Sequence, residues 1–88
     1  MGIDGNQARV SFLFTEVELG LTMLQTARIT DNAIHAERSI GMARRACETI
    51  DLFRSQVQLS RVEAMRLDLM RRQLAAELEG MVGLLLAR

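Results

Sequence analysis

His35 is the single histidine of the 88-residue chain, and Arg38 follows it by three, close to one turn of a helix. A neutral imidazole on an exposed helix face can accept a phosphoryl group, and a guanidinium one turn on would stabilise the incoming charge. His35 and Arg38 are therefore a candidate phosphoacceptor pair. Cys47 is the single cysteine. As a nucleophile it would want an imidazole beside it, but twelve residues along one helix hold it about 18 Å from His35. It reads as a small core side chain. One thiol also excludes a disulfide framework or a cysteine-only metal cage within one chain. No Glu-x-x-His pair occurs, so the inward carboxylates and imidazoles of a dinuclear metal site between helices cannot be assembled. No metal, cofactor or catalytic residue is expected. The doublets Arg44-Arg45 and Arg71-Arg72 have the chemistry to grip a phosphate or carboxylate, but Glu48, Asp68 and Glu77 dilute their field.

The elements that must position these residues follow from composition. Hydrophobic residues make up 49% of the chain, yet the only aromatics are three Phe, and proline is absent. A core of Leu, Met, Val, Ile and Ala is the composition of a helical bundle. Eleven arginines, with no lysine, balance eleven acidic residues, which gives no general attraction to nucleic acid or anionic membranes. The longest apolar tract, Met81 to Ala87, falls far short of the roughly 20 residues that span a bilayer. The lone thiol suits a reducing, cytoplasmic setting, and the opening residues lack the charged and apolar regions of a secretory leader.

Without proline, helix boundaries must be read from capping chemistry. Ser60 and Glu63 form a capping box, in which each side chain satisfies the other's backbone amide, with Leu59 placed to staple the turn. Thr30-Asp31-Asn32 competes for backbone hydrogen bonds between two apolar-periodic segments and marks the first turn. The spacing predicts helices near 7–29, 31–57 and 60–82 in a single domain, a flexible arm over 1–6 and an apolar tail over 83–88. Short turns make neighbours antiparallel. The expected fold is all-α, three long helices running up, down and up.

In the second helix Ala36, Ile40, Ala43, Cys47 and Ile50 form one stripe of mostly small side chains that invites close packing. Asp51 with Arg54, and Asp68 with Arg72, stand at helix-neighbour spacing for surface pairs. The first helix has two apolar sides. Val10, Leu13, Phe14, Val17, Leu21 and Leu24 make one stripe, while Phe12, Leu19 and Met23 project from nearly the opposite side. In the third helix Val62, Met65 and Leu69 start one line, and Leu67, Met70, Leu74, Leu78, Met81 and Leu85 follow another. A monomer of this size buries only about 60–65% of its unfolded surface. Three helices offer too little cover for both sets.

Asp31-Asn32-Ala33-Ile34-His35-Ala36, followed by Ile40 and Ala43, resembles the turn and second helix of a tetratricopeptide-type hairpin, in a unit covering roughly residues 17–50. That resemblance implies two closely packed antiparallel helices and a role in protein contact. With no second copy in the chain it implies no concave peptide-binding array and transfers no binding residues. His35 through Ser39 is similar to the helix-borne motif of histidine phosphotransfer proteins, with Ser39 where that family has glycine. His35-Ala36-Glu37 is similar to the start of a zinc deaminase signature, whose Pro-Cys-x-x-Cys half is missing.

These readings converge on a small non-catalytic interaction or scaffold protein that associates with itself as a dimer or higher oligomer. The residues expected at the interface are Phe12, Leu19, Met23, Leu67, Leu78 and Leu85. An amphipathic helix of another protein, received in a groove made adaptable by the six methionines, is the other partner considered. Histidine phosphotransfer or signalling through His35 and Arg38 is the alternative function.

Overall fold

The computed structural model describes residues 5–86. They form three α-helices, α1 (Gly5–Ile29), α2 (Ala33–Phe53) and α3 (Arg61–Leu86), with one 3-10 turn (Arg54–Gln56) after α2. The expected all-α, three-helix architecture is what the chain adopts.

Helix α1 runs unbroken through Gly20, and Thr22 and Thr26 donate their hydroxyls to the carbonyls of Glu18 and Thr22 one turn back. It ends where short polar side chains take over the backbone. Thr30 Oγ1 accepts from the Asn32 amide, and Asn32 Oδ1 then accepts from the amides of Ile34 and His35 at 2.9 and 3.2 Å. Asn32 is thus the N-cap of α2, which starts two residues later than the spacing predicts.

Helix α2 also stops earlier than predicted, at Phe53 instead of residue 57. The cause is remote in sequence. The side-chain amide of Asn6 donates to the Gln58 carbonyl at 2.9 Å and accepts from the Gln58 amide at 2.6 Å. With Gln58 clasped in this way, Val57 is extended and the helix cannot continue. Asn6 itself lies inside α1, so the expected arm is shorter than proposed; its first four residues lie outside those described.

Helix α3 opens on the predicted capping box. The Ser60 amide donates to Glu63 Oε1 at 2.8 Å and the Glu63 amide to Ser60 Oγ at 3.1 Å. It then continues past residue 82 to Leu86, through Gly80 and Gly83. An exposed helical glycine costs only about 1 kcal/mol, and Met81, buried between the two, anchors that turn to the core. Of the expected tail, the last two residues lie outside those described.

The most extensive contact is between α1 and α2, and small residues make it. Gly20 and Ala27 on α1 and Ala36, Ser39, Ala43 and Ala46 on α2 are all buried. At Gly20 all three helices meet. A Cβ there would lie 2.9 and 3.0 Å from the Leu74 methyls and 3.2 Å from the Ala46 Cβ. Leu67, Leu74 and Met81, seven residues apart, lay α3 into the groove of the α1–α2 hairpin; the two leucines are fully buried. Each such leucine contributes about 1.5–3 kcal/mol.

Ion pairs join α3 to both neighbours. Asp51 receives two hydrogen bonds from Arg71, at 3.0 and 2.6 Å, Arg54 pairs with Asp68, and Arg28 reaches Glu77 at 2.9 Å. The helix-neighbour pairs expected from spacing, Asp51 with Arg54 and Asp68 with Arg72, are replaced by these cross-helix partners because α2 and α3 lie side by side. The molecule measures 52 × 22 × 18 Å. Its radius of gyration, 14.5 Å, exceeds the roughly 12 Å of a compact chain of this length. A thin core leaves long faces in contact with water.

Candidate interaction surface

The second apolar side of α1 stays uncovered. Phe12 and Leu19 retain 44% and 42% of their accessible surface, while Met23, on the same side, is half-buried against the core. Across the hairpin, α2 presents Met42 and Phe53, also exposed. The two helices meet here through their rings. Phe12 and Phe53 pack edge to face with centroids 6.2 Å apart, an arrangement favoured by the aromatic quadrupole. Beside them Ala8, Arg9, Gln56 and Val57 complete a cleft of about 290 Å³.

This face lies on the side of the hairpin away from α3. Helix α1 meets α3 through Phe14, whose ring carries the Arg66 guanidinium 5.5 Å from its centre. Helix α2 meets it through Asp51, which pairs with Arg71. At 100° per residue, Phe14 and Asp51 lie roughly half a turn round from Phe12 and Phe53.

The expected interface of α3 needs correction. Leu67 is fully buried in the chain's own core and offers no area to a second chain, and Leu78 is half-buried against the same core. The outward row is the other one: Val62, Met65 and Leu69 are 73%, 61% and 63% exposed. Both rows are apolar, so composition did not distinguish them. The notch at Gly20 does, because it admits Leu74 and so turns the Leu67 row inward. Leu85 belongs to α3, but its side chain lies outside those described.

Met42 and Phe53 were not among the expected interface residues. Their signal in the sequence is the separation of Met42 and Phe53 by eleven residues, which repeats that of Phe12 and Met23 on α1.

The candidate chemical groups remain dispersed. His35 and Arg38 are both exposed at the start of α2. Cys47 is buried further along the same helix, and burial pushes its thiol pKa up, opposed by the nearby Arg71 charge. Arg71 is engaged by Asp51, whose carboxylate the hydrogen bonds hold below its ordinary range; Arg44, Arg45 and Arg72 point to water. Among the described residues there is no group of three or more His, Cys, Asp or Glu able to hold a metal ion, and no helix long and apolar enough to cross a membrane.

Fold and surface together define a thin three-helix bundle with an apolar hairpin face left open. No family model, curated protein or solved structure matches the chain.

Proposed function

We propose that the chain is a small non-catalytic interaction or scaffold protein that works as a homo-oligomeric helical bundle. The observation that carries this reading is the exposure of Phe12 and Leu19 at 44% and 42% on a helix already anchored by its other side. An apolar face of this kind on a small chain is stabilised by a partner that removes it from water. The half-buried Met23 and the exposed Phe53 and Met42 extend the same patch. The tetratricopeptide-like turn before α2 supports a contact role, and the single buried thiol suits a reducing compartment.

Light scattering of the unaltered chain should give a mass above that of one subunit. Changing Leu19 and Met23 together to Glu should shift it towards the monomer, while His35→Ala should leave it as it was. A mass unmoved by the double charge substitution would overturn the proposal.

The second reading, phosphotransfer, rests on the exposure of His35 with Arg38 one turn away. It requires acid-labile phosphate on the native chain in the presence of a phosphoryl donor, lost in His35→Ala. Absence of such phosphate would remove it.

A further inference from the structure

The cleft beside the two rings joins an apolar wall to a charge that no described residue neutralises. Phe12 and Phe53 stand at 86° to each other, and with Ala8 and Val57 they bound a volume of about 290 Å³ that Arg9 and Gln56 complete. Arg9 is the one charged residue on that lining. It makes no ion pair with another described residue, and the positions one turn away on its own helix carry Gly5, Asn6, Phe12 and Leu13, none of them acidic. Arginines that touch other helices are treated differently. Arg28, Arg54 and Arg71 are engaged by Glu77, Asp68 and Asp51, and Arg66 lies over the Phe14 ring.

The wall contributed by the chain after α2 is fixed from a distance. Gln56 and Val57 lie just before Gln58, which the two hydrogen bonds with Asn6 hold in place, and Val57 is extended as a result. The cleft is therefore formed before anything enters it, as small-molecule sites usually are.

We infer that it is a binding site for a small aromatic carboxylate. Its size sets the scale, because 290 Å³ lies at the lower end of the roughly 300–1,000 Å³ of small-molecule sites. One or two fused rings match it better than a long acyl chain. The rings set the shape: both keep surface in contact with water, and at a right angle they offer a face beside an edge, which suits a third flat ring. Arg9 sets the sign. A guanidinium takes a carboxylate through two parallel hydrogen bonds, and once a ligand ring displaces water from beside it, that attraction acts at a lower effective dielectric. Gln56 adds a neutral amide able to donate to the same oxygens. The inference goes beyond the self-association proposed above and does not rest on it.

The chain has no Trp or Tyr, so the fluorescence of 2-naphthoate reports binding without interference from the protein. Naphthoate should saturate one site per chain. The corresponding neutral alcohol, 2-naphthalenemethanol, should bind about tenfold more weakly. Arg9→Gln should weaken naphthoate by about the same factor and leave the alcohol unchanged. Arg45→Gln, the same loss of charge at an exposed residue outside the cleft, should change neither. Absence of saturable binding, equal affinity for naphthoate and the alcohol, or a loss in Arg45→Gln as large as in Arg9→Gln would overturn the site. The titration is repeated on the chain carrying Leu19→Glu and Met23→Glu, which keeps every residue of the lining. Binding retained there supports the cleft of a single chain, whatever light scattering shows about self-association, whereas binding lost with those two charges would overturn it in favour of a site between copies. Tighter binding of a short peptide ending in phenylalanine than of naphthoate would replace the small ligand with a chain terminus.

Discussion

Gly20 and Gly41 are both helical glycines, and their surroundings call for opposite results when a methyl group is added. At Gly20 the new carbon would press on the methyls of Leu74, which is fully buried, and on the Cβ of Ala46, which only backbone movement could shift. Overpacking of this kind costs about 1–3 kcal/mol, against about 1 kcal/mol gained in helix propensity. Gly20→Ala should therefore lower stability by about 1 kcal/mol. Nothing lies within 4 Å of the Cβ position at Gly41, so Gly41→Ala should raise it by about 0.5–1 kcal/mol. Urea midpoints of the two variants, moving in opposite directions from the parent, are the check. The Asp51–Arg71 pair makes a pH-dependent contribution. Because the folded carboxylate titrates lower than the unfolded one, its stabilisation is complete above the ordinary carboxylate pKa, near pH 4, and disappears as pH falls through the depressed folded value. Both side chains are partly in water, so Asp51→Asn should cost no more than the roughly 0.2–1 kcal/mol of exposed pairs at pH 7. The difference from the parent should vanish in acid.

At the scale of the helix, local chemistry and remote contact divide the work. Ser60→Ala removes one half of a reciprocal cap and should cost about 1 kcal/mol, with the loss read as a lowered urea midpoint. Asn6→Ala removes both hydrogen bonds to Gln58 and should speed amide exchange at Gln58 while leaving the Ser60 cap protected. The contrast explains what was legible in the sequence. The capping box and the Asn32 turn involve neighbours within a few residues, and spacing alone located them. The end of α2 was not legible, because the residue that clasps Gln58 stands 52 positions away in sequence. The ion pairs were misread for the same reason: helical spacing offers Asp51 and Asp68 partners on their own helices, but tertiary packing gives them Arg71 and Arg54. The second apolar side of α1 was legible as a face, through Phe12, Leu19 and Met23. Its continuation onto Met42 and Phe53 depended on the register of the hairpin, which only the contact between the two rings fixes.

The whole molecule is long and thin, and its stability should therefore depend on how many copies surround it. Mass action makes the melting temperature of a self-associating chain rise with protein concentration. The parent should show that rise, and the chain carrying Leu19→Glu and Met23→Glu should melt at one temperature across the same range. Scanning calorimetry at several concentrations distinguishes them. Cys47 supplies a second, gentler readout. Its sulfur sits under the hairpin on the side where Arg71 of α3 passes, buried and held in the protonated form that reacts poorly. With 7% of its surface exposed, it meets a thiol reagent more readily when the helices part. The labelling rate is consequently a clock for breathing of the fold, set into the chain without any engineering, and any partner that clasps the hairpin will slow it.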